Sequence, residues 1–550
     1  MNTFKSALLG ATALTAVASA SYAAGGNESY TNQSGNDNTL AIEQIGGNLA
    51  GDSSADRTIT QSGNDNEIDL FQENLGGTNR IGAGAAIGGN PIGQGVDQIG
   101  DNNKLDVSQS GKSLDVFDIQ QTGGSAVESN ITTITQTGSG QTVSNIKQTF
   151  DGYSSSDANE ITILQSGSLN LIGNTSSGPR GDGSGITQIG NGNSTLVNQS
   201  GKSQKIYTLK QQDTKSGLGS NTATITQSGN DGNLVRLVDQ YNYGSLDNTL
   251  SITQVSNGNG GNGAGLFESS VTKNMAGVDV TGFIPGASPN QHPSQSFAKQ
   301  TGGGNDLTYS TLGEANKFGF LQAGFSNAIN IVSDGIGQEV AIRQTGSDNE
   351  TFGRQAGSHN STGIQMDGNR NSVDFFQTST AASISEGNKL AIKIVGHDNE
   401  FTSTQTGLNN TAGLDVTGNR NHLDVDQRSA AGDNTMNVMI YGNDNNNFPT
   451  TNPLAGDADW ARNSGLALSP TFSTLNQGDL SQNGDGNSLT LNVMADRNAF
   501  AMLQDGTDNE IVGEISWGSD NQAVVAQVGS NNLANFTIAG IGNVTGIVQH

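Results

Sequence analysis

The chain has 550 residues, a formal net charge of −27, 77 Gly, 8 Pro and no Cys, with only 32% apolar and 5% aromatic side chains. It lacks the apolar material for the several thick cores a globular chain of this length would hold, so it is either disordered or built on a core one repeat wide. The missing Cys excludes a disulfide scaffold, a Cys-based metal site and a thiol nucleophile, and the acidic balance argues against a nucleic-acid surface.

Residues 1–23 read as a secretory signal peptide. Lys5 supplies a positive start, and an apolar stretch over 7–18 is too short to span a bilayer. Ser21 and Ala23 are placed for a cut before Ala24, with Ala18 and Ala20 as an alternative. No later stretch reaches membrane-spanning length. The mature chain is expected to be secreted, without a transmembrane segment.

A repeat follows. Gln33, Gly35, Asn38, Leu40, Ile42 and Gln44 spell Q-x-G-x-x-N-x-h-x-h-x-Q, where h is apolar, and the two Gln are 11 residues apart. The frame returns at Gln61, Gly63, Asn66 and Gln72, at Gln98, Gly100, Asn103 and Gln109, and at Gln188, Gly190, Asn193 and Gln199. Half-units recur at Asn130–Gln136, Asn159–Gln165, Asn221–Gln227 and Asn248–Gln254. Together these make 24–255 a region of irregular repeats, broken by Gly-rich insertions at 76–95 and near 173–185. Residues 256–315 lose the frame, carry Pro285, Pro289 and Pro293, and read as a loop or lid leaving the stack.

The frame resumes over 316–445, with Gln344, Gln355, Met366 and Gln377, then Ile394, Gln405, Val416 and Gln427, each at intervals of 11. A second insertion, 446–480, holds Pro449, Pro453, Trp460 and Pro470; Trp460 and Phe472 are candidates to cover a stack edge. Residues 481–550 are again regular, through Gln482, Val493, Gln504 and Ile515 and then Gln527, Ile538 and Gln549. The remaining landmarks of the frame are Gly346 and Asn349, Gly357 and Asn360, Gly407 and Asn410, Gly506 and Asn509, and Gly529 and Asn532.

The alternation from Asn to the next Gln is that of a half-buried strand of roughly 23 Å. The x-G-x-x left over suits a tight arc, since Gly, Asn and Asp accept left-handed backbone. Wherever Gln is replaced the substitute is apolar, at Met366, Ile394, Val416, Val493, Ile515 and Ile538, so the column faces inward. The replacements fall on alternate units, giving a true period of 22 made of two unlike strands. The expected fold is all-β: a β-solenoid of about 22-residue, two-strand coils, in which buried amides pair coil to coil as ladders.

The Q-x-G-x-x-N spacing with its second Gln resembles the curlin repeat of bacterial curli fibres, over about two-thirds of the mature chain. The resemblance implies an exported subunit that polymerises with itself into a functional amyloid supporting biofilm and adhesion. It also implies a curli-type outer-membrane secretion pore and a nucleator as partners. Stacking roles carry over to Gln33, Asn38 and Gln44, to Gln344, Asn349 and Gln355, and to Gln527 and Asn532. The chain departs from familiar subunits in its length, its insertions and its short Gly-containing leader, Ala24 to Asn27.

Acids on outward strand positions include Glu67, Asp69, Asp106, Glu350, Asp374, Glu400, Asp424, Asp426 and Glu510. They make a solvated face and, by repulsion between coils, a brake on assembly. The last unit ends in frame at Gln549 and His550, which reads as an open edge able to template another chain. No His cluster, hydrolase elbow or phosphate loop appears, and the SGNDN arcs lack the period of nine of calcium-binding repeats. No enzyme, metal or cofactor is expected. The competing reading is a monomeric secreted adhesin that binds a surface or glycan through its inserted loops.

Overall fold

The structure is a computed structural model and describes residues 26–51, 58–82, 95–124, 129–150, 158–173, 185–213, 219–230, 232–259, 272–275, 278–281, 297–383, 385–447 and 451–550. The signal peptide expected over 1–23 lies outside them, as do parts of 256–315. The described chain is nearly all β, in long parallel sheets, with one α-helix among the described residues. This is an all-β, parallel, solenoid-like fold. It divides into two compact units, Met1–Gly261 with Ser296–Asp306, and Asn262–Gln295 with Leu307–His550.

In the first unit each turn of chain contributes to three parallel sheets. A front sheet runs through Thr39–Ile45, Glu67–Asn74, Lys104–Lys112, Asn130–Ser139 and onward to Asn248–Val255. A back sheet of short strands includes Thr31–Ser34, Ile59–Ser62, Val96–Ile99 and Ile119–Thr122. A third sheet is built from pieces of two or three residues such as Leu49–Ala50, Arg80–Ile81 and Asp115–Val116. The third and back pieces are halves of one strand, split at a residue with positive φ such as Asp118 (45°) or Asn145 (55°). The chain leaves the stack at this split after Ala50, Ile81 and Ile172, the last two within or at the Gly-rich insertions, where backbone pairing is already interrupted. The uniform coil of about 22 residues therefore needs correcting here: front-sheet Gln partners lie 27 to 37 residues apart.

Alternation builds the core. In Lys104–Lys112 the side chains of Leu105, Val107 and Gln109 are buried, while Lys104 and Asp106 face solvent. β-Branched residues dominate the inward layer, as suits a pleated, enclosed surface.

The second unit has longer, simpler strands. Front strands include Ala328–Ile336, Glu350–Ser358 and Ser372–Thr380, and back strands Lys317–Phe325, Glu339–Ser347, Ser361–Asn369 and Lys389–His397. Ala328 pairs with Glu350 and Glu339 with Ser361, 22 positions on. The offset grows to 55 between Asp424 and Asp479, where residues 446–480 intervene.

Both insertions differ from expectation. Strands reappear already at Phe297–Gly303 and Asp306–Glu314, so the loop read over 256–315 ends some residues early. It also contains an antiparallel pair, Thr272–Met275 with Val278–Thr281, the latter strand packing on back strands 361–369 and 389–397. The 446–480 insertion carries the helix, α1, Gly456–Leu468. It lies on the outer front face rather than over an edge: Ala458 and Ala461 pack with Leu454, Phe472, Ala499, Ala501, Val524 and Ala526. Trp460, 56% exposed, is not part of that contact. Gln522 holds the start of the helix, accepting from Ala455 N (2.7 Å) and donating to the Pro453 carbonyl (3.0 Å). Asp505 holds its end, accepting from Ser469 and Thr471.

Candidate functional site: amide columns and stacked arcs

The frame residues fall into separate vertical columns. Gln33, Gln61 and Gln98 share a back column, continued by Gln121, Gln148, Gln188, Gln211, Gln240 and Gln300; Gln61 Nε2 donates to Gln98 at 3.0 Å and Gln98 to Gln121 at 2.8 Å. Gln44, Gln72 and Gln109 begin a front column that runs on to Gln254, with donor–acceptor distances of 2.7 to 3.0 Å. In the second unit Gln355, Gln405, Gln504, Gln527 and Gln549 belong to one front column with Gln377, Gln427 and Gln482.

Gln344 does not join that column. It stands on the back face, accepting from Gln322 at 3.1 Å. Its successors are Met366 and Ile394. Val416, Val493, Ile515 and Ile538, the other apolar substitutes, are likewise buried. The second unit thus keeps one Gln column and turns the other apolar.

The Asn residues stack where each strand begins, and in the opposite sense. Asn66 donates back to Asn38 (3.1 Å), Asn103 to Asn66 (3.0 Å) and Asn349 to Asn327 (3.0 Å). Asn360, Asn410, Asn509 and Asn532 form the corresponding back column, with Asn410 donating to Asn388 at 3.0 Å and Asn532 to Asn509 at 2.9 Å. Within these columns the Gln–Gln bonds donate toward the following coil and the Asn–Asn bonds toward the preceding one. The second Nδ2 hydrogen of Asn38 reaches the Gly63 carbonyl at 2.8 Å, and that of Asn349 the Gly368 carbonyl at 2.8 Å. This explains the fixed Gly–Asn spacing: the Gly carbonyl is the acceptor its neighbour's Asn requires.

Gly35, Gly63, Gly100, Gly346, Gly357, Gly407, Gly506 and Gly529 all have positive φ. Gly346 shows why Gly is needed twice over: its φ is 117°, and a Cβ there would lie 1.8 Å from the Gly368 carbonyl oxygen. Arcs stack with nothing between them.

No known family model and no curated protein matches the chain. Among the described residues, no helix is long and apolar enough to cross a membrane, and no group of three or more His, Asp or Glu is placed to hold a metal ion.

Two features escaped the sequence reading. Gln121, Gln148 and Gln211 were hidden because the one-residue split lengthens the Gln interval from 11 to 12. Their signal is the short h-x-Q that follows the split, as in Ile119–Gln121. The second feature is a charge column. Asp348, Arg370, Asp398, Arg420, Asp444, Arg497 and Asp520 all have positive φ and each precedes a column Asn, so acids and Arg alternate along one line of arcs. Arg370 binds Asp398 in bidentate fashion (2.6 and 2.9 Å), Arg420 binds Asp444 (2.6 and 2.8 Å) and Arg497 binds Asp520 (3.1 and 2.9 Å). These bonds hold the three carboxyls below the usual range.

The outward acids are less uniform than a plain solvated face. Lys104 pairs with Glu67 at 3.0 Å, and burial followed by repulsion from Asp69 raises Asp106. His422 bridges Glu400 and Asp424, each at 3.4 Å, and the Asp424 hydrogen bond raises it. Burial pushes Asp115 up to about 6 despite Arg80 at 3.5 Å, and burial with the Asp97 charge pushes Asp118 up to about 6.

Proposed function

We propose that the chain is a structural subunit of a secreted, curli-like functional amyloid fibre that supports biofilm and adhesion, and that it is not an enzyme. The observation that carries this reading is the repetition of like on like: Gln on Gln, Asn on Asn and arc Gly on arc Gly. A coil from a second copy would present the same partners as the next coil of the same chain. The common sense of donation within each column favours head-to-tail addition. In the second unit, coils of two strands and about 22 residues stack in amyloid fashion like curlin repeats. The chain is exported behind a signal peptide through an outer-membrane secretion pore, and a nucleator starts its assembly.

The test is polymerisation of the chain diluted from denaturant, followed by electron microscopy with and without preformed seeds. Seeded, unbranched fibres are expected. β-Rich monomers that persist for days would reject the subunit reading. If the outward acids brake assembly, the lag should shorten at pH 4–5 relative to pH 7.5 in low salt; equal lags would remove the acids from the account.

A further inference from the structure

Residues 446–447 and 451–477 do more than dock a helix. Against the outer front face and the neighbouring arcs they enclose a cleft of about 460 Å³, within the usual range for a small-molecule site. Three observations define what it accepts. First, Asn446 lines it, is 3% exposed, and uses its Oδ1 to accept from Phe500 N at 2.8 Å, while its Nδ2 has no hydrogen-bond partner. A buried donor without an acceptor is costly; Nδ2 is closed to solvent where it stands, and a small shift of the side chain into the cleft would let a ligand oxygen satisfy it.

Second, the cleft's charges are already neutralised in pairs: Arg420 by Asp444, Arg462 by Asp459, and His422 by Glu400 and Asp424. No cation among the described lining residues is left to select a phosphate or carboxylate. Third, the lining mixes amides such as Gln477 with an apolar wall made by Pro453 and Leu454. Amides and paired carboxylates offer donors and acceptors side by side, which suits hydroxyls, since each hydroxyl is both. The apolar wall suits the C–H face of a sugar ring.

We propose that this cleft binds a neutral, hydroxyl-rich ligand, a short stretch of uncharged oligosaccharide, with Asn446 Nδ2 donating to one of its oxygens. The site lies within one unit and does not depend on fibre formation.

The test immobilises the full chain and measures equilibrium binding of cellotetraose, maltotetraose and xylotetraose, with trigalacturonate as the charged comparison. At least one neutral tetramer should bind saturably, one per chain, and more tightly than trigalacturonate. Asn446→Asp keeps the acceptor for Phe500 and removes the donor, so binding should weaken by about 10-fold or more. Arg462→Ala, on the surface of α1, should also weaken it, and the remote Glu350→Gln should not. The proposal is overturned by absence of saturable binding at about 10 mM of all three neutral sugars, by binding of trigalacturonate alone, or by unchanged affinity in both cleft variants.

Discussion

A carboxamide with no water around it is normally a liability, and here dozens are tolerated because within the columns most have a copy of themselves above and below. Gln136 donates to Gln165 at 2.8 Å and accepts from Gln109 at 2.7 Å. Gln136→Glu removes the donor and buries a charge between two amides; it should cost roughly 3 kcal/mol or more in urea unfolding at pH 7.5. Gln136→Met should cost less, since Met366 fills the equivalent inward place on the back face. Equal losses would mean that hydrogen bonding along the column contributes nothing beyond packing. Asp118 permits a test with a worked sign. Its folded value of about 6 lies above the ordinary carboxylate value, so its charge opposes folding in full above pH 6; the penalty shrinks as pH falls from 6 and is gone below the ordinary carboxylate value. Asp118→Asn should therefore stabilise the first unit at pH 7.5, by roughly 1 kcal/mol after solvent screening, and leave it unchanged at about pH 3. At this scale the inward-facing residues were legible because their types repeat. Gln121 and Gln148 were not, because one extra residue in the strand breaks the count without breaking the column.

Among elements, α1 was not legible. Its sequence is a modest helix former that includes Gly465, and its reason to exist lies elsewhere in the chain. Outward strand positions that are charged or hydroxylated in other coils become Ala499, Ala501, Val524, Ala526 and Gly546 beneath it. A Cβ on Gly546 would lie 1.9 Å from the Asp457 carbonyl oxygen. Gly546→Val is expected to lift α1 while leaving the strands paired, seen as faster amide exchange confined to 456–468. Exchange that stays slow there would show that the footprint is not what holds the helix. The arcs offer a second test. Arg420→Asp would place three acids in a row, the new carboxyl standing between Asp398 and Asp444. The second unit should lose about 1 kcal/mol in low salt and less in 1 M salt. Because the native Asp carboxyls are held below their usual range, this contribution is present above about pH 4 and fades as pH falls further.

On the scale of the molecule, the sequence made the class of fold plain and the coil length only partly so. Period and patterning set which residues face inward, whereas the coil's length depends on insertions, at the strand split or at an arc, across which the columns continue. The two units differ in a way that follows from substitution. The first keeps amides in both inward Gln columns, and the second replaces most of one with Met, Ile and Val. Each such replacement adds about 1–2 kcal/mol of apolar burial in place of a hydrogen-bonded amide. Back-strand amides of the second unit should accordingly exchange more slowly than its own front-strand amides. Equal exchange would mean that an amide bonded on both sides matches an aliphatic side chain.

The opposed donation of Gln and Asn has an electrical consequence. In an α-helix the peptide dipoles add, and a partial charge appears at each end. In these columns the side-chain dipoles of Gln point toward later coils and those of Asn toward earlier ones, so along the stacking axis they partly offset one another. Extending the stack therefore builds up less end charge from its amides than columns of a single sense would. A growing end meets a correspondingly weaker field, however many coils lie behind it.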